Sequence, residues 1–430
     1  MNILIVTPFF KHDRNIASVR WTNLATRLCK RHNVIVVTQP HDDMDMTESI
    51  ARDEDGILVA RLNQKTAYEK FAVKHFGGAT GDDWQTGSSN QDAQVPTRES
   101  AVRKLKNHVL FASMKMKARQ YATQIAKQVV PKGTKIDVVI SSACPFIEML
   151  FGYELKKKLK CKWISDFRDL PYKSEDRHDS QLMKKIMKHC LNVADAVVSI
   201  SYRGKEYLQK HIVKDVDKVH VITNGFSMTD AKESIYQDDG ILHIVHTGSL
   251  YGGTRKSDLL FKAAQMAHQK NPKFSYVLDC AGGNNETLIE TAKKYGEDKN
   301  VYNRGFIARE EALKMQATAD ILLALVVKTT GSFVAKMFEY LLNQKPVICV
   351  SCGPGESSEE TEFVRKTNLG IAVEEGEENA EQELCDYLLT QFELKAKSMK
   401  PAFSPDEKVI REYDHDVLVS KFEELFRNIV

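Results

Sequence analysis

Short β-branched runs alternate with helix-length amphipathic stretches, and partway along the chain the pattern stops and restarts; nothing else limits the fold as much. The runs 2–7 (NILIVT), 33–38 (NVIVVT), 136–142 (IDVVISS), 161–167 (CKWISDF), 195–201 (DAVVSIS) and 218–223 (KVHVIT) read as buried strands. Between them, 22–31 (TNLATRLCKR) and 182–194 (LMKKIMKHCLNVA) place apolar residues at helical spacing. Strands separated by such helices predict a parallel sheet covered on both faces. The polar stretch near 225–241 reads as a linker, and the alternation then resumes. Strands are expected at 242–248, 275–283, 319–326 and 345–351, with helices around 257–269, 309–317 and 335–343. The class is α/β, with two Rossmann-like, doubly wound domains facing a central cleft.

A chain of 430 residues suits two such domains. With 42% hydrophobic and 28% charged residues the composition is that of a globular protein. No apolar run approaches the roughly 18–20 residues that span a bilayer. The start, MNILIVTPFF, has no basic region before its apolar stretch and reads as a first strand and not as a leader. Eight scattered cysteines suggest reduced thiols and a cytoplasmic protein. The net charge of +3 hides an asymmetry: residues 1–240 hold 38 Lys+Arg against 29 Asp+Glu, and the remainder 23 against 29. A basic first half favours an anionic partner, or is a set of solvated lysine-rich faces. The polar segment 77–94 reads as a mobile surface loop reaching to about 100. After it, 101–130 contains Arg103, Lys104, Lys106, Lys115, Lys117, Arg119 and Lys127 and no acid, with Val109, Leu110, Phe111, Met114 and Met116 among them. Such a stretch can lie on an anionic membrane, or pack on the sheet as an ordinary helix with a basic face. Nucleic acid is not expected, because aromatics do not interleave with the basic residues.

The stretch 329–348 (TTGSFVAKMFEYLLNQKPVI) is a Gly/Ser loop followed by a helix that opens near Ala335 and ends before Lys345-Pro346. The start of such a helix favours an anion such as pyrophosphate. Lys336 in the first turn is unfavourable for the helix alone and makes sense beside a phosphate. Glu339 shares its face and could accept hydrogen bonds from ribose hydroxyls; the two could equally form a plain surface pair. Asp166, Arg168 and Asp169 lie at the carboxyl end of a strand, where open α/β sheets bind ligands. They could position an acceptor or the transferred group, or close the sheet end as an ion-pair network. Arg20 could reach the same place and meet an acceptor phosphate, or cap the first helix. Cys349 and Cys352 have redox spacing but no second pair to complete a zinc site, and read as structural. The run 252–257 (GGTRKS) lacks P-loop spacing.

The string KMFEYL, with a Gly-containing loop before it and KPVI after it, resembles the donor-binding motif of family 4 retaining glycosyltransferases of the GT-B type. The resemblance extends along nearly the whole chain: NILIVTPFF and 15–28 to the first strand and helix, DVVISSACPF and 163–171 to strand ends lining the cleft, ADAVVSIS and 221–226, with Asn224, to the segment before the crossover. HTGSLYGGTRKSDLLFKAA (246–264) is similar to the opening of the second domain, and 300–323 to the nucleobase-side segment. The resemblance implies that Glu339 holds the donor ribose. It implies that Arg255 and Lys336 grip the diphosphate, with Gly248, Ser249, Gly331, Ser332, Phe333 and Val334 lining the donor site. The backbone around Gly305, Phe306 and Ile307 would face the base. Gly331 replaces a second glutamate found in many members, Ser249 replaces an arginine, and a histidine of the first domain has no counterpart.

The implied reaction moves a sugar from a nucleotide diphosphate-sugar, UDP- or GDP-linked, to a glycan or lipid-linked acceptor with retention of configuration. No cofactor and no metal are expected; Asp43-Met44-Asp45 falls in a polar loop. Arg255, Lys336, Asp166, Arg168 and Asp169 are the expected catalytic group, with Arg20 and Asn224 on the acceptor side. Cell-envelope polysaccharide synthesis, in the cytoplasm or at the inner membrane face, is the expected setting. The expected domains are 1–235 and 236–412, with 413–430 as a helix crossing back to the first. Two other readings stay open: a catalytically silent partner subunit, and a nucleotide-sugar 2-epimerase.

Overall fold

The computed structural model describes residues 1–11, 17–40, 48–63, 101–143, 146–169, 178–230, 235–250, 255–328, 333–353, 355 and 357–430. The expected loop at 77–100, Asp43-Met44-Asp45, residues 252–254 of GGTRKS, and the donor-site positions Gly331 and Ser332 lie outside the described residues. The chain folds into two compact units, Met1–Thr223 with Leu418–Val430, and Asn224–Val417. The sequence reading set these limits at 235 and 413.

The first unit holds strands β1 (Asn2–Val6), β2 (Asn33–Thr38), β3 (Ser49–Arg52), β4 (Leu58–Arg61), β5 (Val138–Ala143), β6 (Lys162–Phe167), β7 (Ala196–Ser199) and β8 (Val219–Val221). They form one sheet in the order β3-β4-β2-β1-β5-β6-β7-β8, parallel except for the β3–β4 pair. β1 is buried along almost its whole length, as a central strand covered on both faces must be. One face is covered by helices Ala101–Gln124 and Ile147–Leu159, which meet through Tyr121 and Phe151 at 4.6 Å between ring centroids. The basic stretch is therefore a core helix, with Phe111 and Met114 packed inward and Val109 and Met116 exposed. The other face is covered by helix Ala17–Leu28 and by the last helix, His415–Ile429, whose Leu418, Phe422 and Phe426 join Trp21 and Leu24 in one cluster.

The second unit holds β9 (Leu242–Thr247), β10 (Tyr276–Ala281), β11 (Val301–Asn303), β12 (Ile321–Val327), β13 (Val347–Cys352) and β14 (Gly370–Glu374). The order is β11-β10-β9-β12-β13-β14, all parallel. Strand order reverses between β9 and β12, and ligands of open α/β sheets bind beyond the carboxyl ends of strands at such a point. The stretch Ile235–Asp239 is tied down by two lysines. Lys345 donates to Ile235 O at 2.8 Å with its ammonium 3.5 Å from the Tyr236 ring centre, and Lys395 bonds Gln237 O and Asp320. Among the described residues no helix is long and apolar enough to cross a membrane.

Candidate donor site at the switch point of the second sheet

Beyond β9 the chain turns through Gly248, and its carbonyl presses on Gly282 at the end of β10. A side chain at Gly282 would begin 2.1 Å from that oxygen, and Gly282 has φ +139°, so only glycine allows the two turns to touch. The amide of Gly282 donates to Gly305 O at 2.9 Å. The three glycine-bearing turns thus lie side by side, bringing Gly248, Ser249 and Gly305 together. Phe306 is 88% exposed, with its ring edge at Gly283, and Ile307 is half-buried. Arg255 returns toward the same turn and donates to Ser249 O at 3.2 Å.

Helix Lys336–Leu342 delivers the charged pair. Glu339 is buried, and its Oε1 accepts from Gln316 Nε2 at 2.7 Å, which in turn also donates to Thr247 Oγ1 at 2.8 Å. Asn343 donates to Gln316 Oε1, fixing the amide orientation. The second carboxylate oxygen faces Arg309 at 3.4 Å. That is beyond the best hydrogen-bond length and leaves lone pairs for another donor. Lys336 Nζ lies 3.8 Å from Glu339 Oε1, too far for a hydrogen bond. Burial pushes the Lys336 pKa down, with Glu339 opposing the shift. Lys336 and Glu339 thus stand at ion-pair distance, as one sequence alternative had it, but Glu339 is a buried acceptor inside a polar network and not an exposed carboxylate.

The loop before this helix differs from the sequence expectation. Phe333 is anchored against Phe338 and Phe363, with ring centroids at 5.2 and 5.4 Å. The amide of Val334, expected to face the donor, donates to Glu360 Oε1 at 2.8 Å. A carboxylate of the chain itself thus occupies that donor, and the helix is only seven residues long. Burial pushes the Glu360 pKa up to about 7 against the Val334 bond and the field of Arg255.

In the first unit, the acceptor-side residues separate. Asp166 accepts from Arg20 Nε (3.1 Å), Arg20 Nη2 (2.8 Å) and Trp21 Nε1 (3.0 Å), and is fully buried. Arg20 also donates to Ile222 O at 2.9 Å and to Thr223 O, beneath the Phe422 ring. The two charges are tied to each other, closing the sheet end, and neither is presented for an acceptor. Half-buried Arg168 donates to Ala17 O at 2.9 Å, Asp169 is exposed, and half-buried Asn224 opens the second unit. Among the described residues no group of three or more His, Cys, Asp or Glu could hold a metal. Cys349 and Cys352 are buried, and neither is in a disulfide.

The sequence reading missed Arg309, Gln316 and Glu360. Arg309 and Gln316 are seven positions apart in one helical segment, on one face at that spacing, which was the available signal. Glu360 had none, since its role depends on distant backbone.

No protein-family model and no curated protein matches this chain. Solved structures do. HepE of Anabaena in complex with UDP matches with a TM-score of 0.63 and 14% identity over 100% of both chains. The Escherichia coli trehalose-6-phosphate structure bound with UDP-2-fluoro glucose matches with a TM-score of 0.64 and 10% identity over 100% of both. Sucrose-phosphate synthase of Thermosynechococcus elongatus matches with a TM-score of 0.61 and 13% identity, over 99% of this chain and 98% of that one. With whole-chain matches of this kind and two doubly wound parallel sheets, the chain has the GT-B fold of glycosyltransferases.

Proposed function

We propose that the protein is a glycosyltransferase whose donor, a nucleotide diphosphate-sugar, binds at the switch point of the second sheet. The observation that supports this most is Glu339: a buried carboxylate with one oxygen held by Gln316 at 2.7 Å and the other bonded by Arg309 at a longer 3.4 Å. A ribose supplies the two hydroxyl donors that such an oxygen lacks. Lys336 and Arg255 flank the Gly248 turn and suit the diphosphate. The leaving diphosphate gains charge in the transition state, so preorganised cations there lower the barrier. The base is assigned to the Gly305–Ile307 turn. UDP is the first nucleotide to try, because two of the similar structures hold UDP or a UDP-sugar.

Retention of configuration, independence of a metal, and a glycan or lipid-linked acceptor in envelope polysaccharide synthesis are proposed on the family resemblance. The acceptor is assigned to the basic first unit near Arg168 and Asp169. A cytoplasmic site at an anionic membrane face suits that charge. A catalytically silent subunit is the second reading, favoured by the mutual pairing of Arg20 and Asp166.

Calorimetric titration of UDP, GDP and their sugar conjugates decides between them. Micromolar binding of one nucleotide is expected, weakened at least about tenfold in Glu339→Ala, since each charge-assisted hydrogen bond contributes about 1.5–3 kcal/mol. Absence of binding by folded wild type would overturn the enzyme reading and leave the silent subunit.

A further inference from the structure

The sheet face covered by helices Ala101–Gln124 and Ile147–Leu159 also carries helix His178–Leu191, and the three leave a cleft between them. The cleft holds about 630 Å³ of space, part of it open to solvent. Its walls are Phe111, Ala118, Leu150, Ile186 and Cys190, all buried except half-buried Ile186. Burial pushes the Cys190 thiol up to about 12, so it stays protonated and acts as one more small apolar group. Positions 111, 115 and 118 recur at helical spacing, so one stripe of the first helix supplies both wall and rim. The rim is polar, with Lys115, Lys185 and the pair Tyr153 Oη–His189 Nε2 at 3.1 Å.

One turn further along the first two helices a second hollow opens, lined by Arg119, Ala122, Thr123, Glu154, Lys157 and Lys158. Glu154 belongs to both linings and is the one carboxylate in either among the described residues. Arg119 Nε donates to it at 3.3 Å, and Lys157 Nζ lies 3.8 Å away. Together the two linings set five cations, Lys115, Arg119, Lys157, Lys158 and Lys185, against that one acid. A solvated basic helix face has the charge without an apolar recess. An apolar recess beside surplus positive charge fits an amphiphile with an acidic head: the chain gains by leaving water, and the head meets the cations.

We propose that the cleft takes one acyl chain of an anionic membrane phospholipid, with the lipid phosphate against Arg119, Lys157 and Lys158. A single chain gives only marginal, reversible binding, and the adjacent cations supply the second signal that holds it. The inference gives the proposed anionic membrane face a place on the chain; it rests on that part of the reading and not on the donor site.

The first test uses lipid below its micelle concentration. Lysophosphatidylglycerol is titrated into the full chain by calorimetry. Beside it run glycerol 3-phosphate, which has the head and no chain, and lysophosphatidylcholine, whose head has no net charge. One lysophosphatidylglycerol per chain is expected, with glycerol 3-phosphate silent and lysophosphatidylcholine weaker by about tenfold. Ala118→Phe fills the cleft and leaves every cation, and is expected to weaken lysophosphatidylglycerol at least about tenfold. Equal binding by folded Ala118→Phe, equal affinity for the two lysolipids, or no binding by wild type overturns the proposal.

A second measurement does not depend on that variant folding. Vesicles of phosphatidylcholine and phosphatidylglycerol, with a trace of phosphatidylglycerol bearing a diazirine at the end of one chain, are irradiated with wild type. Labels at Phe111, Ala118, Ile186 or Cys190 are expected. Labels confined to Val109 and Met116, exposed on another face of the first helix, would overturn the cleft while leaving the membrane contact standing.

Discussion

At the scale of single residues, Arg20 and Asp166 illustrate what local sequence conceals. They are 146 positions apart; the sequence left Asp166 either facing a ligand or closing the sheet end in an ion-pair network, and Arg20 either meeting an acceptor phosphate or capping the first helix, without pairing the two. Only the sheet order, which places β6 one strand beyond β5 from β1, brings them together. Burying the pair is costly, and its three carboxylate acceptor bonds and two backbone carbonyls offset that cost only while both partners remain. Arg20→Ala or Asp166→Ala is therefore expected to destabilise the first unit by about 3–5 kcal/mol, because each leaves a buried charge unpaired. The double variant Arg20→Met/Asp166→Leu should lose less than the two singles combined, as measured by urea unfolding. Single losses below about 1 kcal/mol, the range of an exposed pair, would contradict the burial described. Glu339 is the opposite case. Its motif was visible in the sequence, and what the structure adds is the reason its lone pairs remain open.

At the scale of elements, hydrophobic periodicity located most strands because β1, β2, β12 and β13 are apolar on both faces. It passed over β3, all four of whose residues are exposed, the four-residue β4, the three-residue β11 and the five-residue β14. Helix Glu359–Thr367 also went unnamed, although its caps are strong. Ser358 accepts from the Thr361 amide, three acids occupy the first turn, and Asn368 ends it in the left-handed conformation. This helix has a consequence for pH, because Glu360 extends from it to the Val334 amide. Its folded pKa of about 7 lies above its ordinary 4.5, mainly through burial. Between those values the folded chain binds more protons than the unfolded one, so this carboxyl's contribution to stability declines as pH rises from 4.5 to 7. The slope is about 1.4 kcal/mol per pH unit at its steepest. Glu360→Gln keeps an acceptor for Val334 and cannot ionise. It is expected to flatten the dependence across that window and to be at least as stable as wild type at about pH 8. Equal slopes for the two proteins, from thermal melts at stepped pH, would remove Glu360 from the account.

At the scale of the whole molecule, the two units do not follow the order of the chain. The last helix begins with the amide of His415 bonded to Phe226 O in the second unit, yet from Leu418 onward it belongs to the first. The sequence expected this return from family resemblance; its physical cause is the apolar stripe of Leu418, Val419, Phe422, Leu425 and Phe426. That stripe completes the face of the first sheet carrying Trp21, whose ring lies 5.4 Å from that of Phe422. The first unit therefore cannot finish its core until the last residues of the chain are present. The two described tryptophans, Trp21 and Trp163, are both buried in the first unit and Trp84 lies outside the described residues, so the quenching-protected part of the tryptophan fluorescence reports on the first unit. Phe426→Ala removes a buried aromatic ring and should cost about 3–5 kcal/mol in the first unit. It is expected to move the fluorescence-detected unfolding midpoint to lower urea. Far-ultraviolet circular dichroism, which sees both units, should then resolve a second transition at the wild-type position. A single transition, shifted equally by both probes, would mean that the two units unfold together and that the last helix stabilises the whole chain and not the first unit alone.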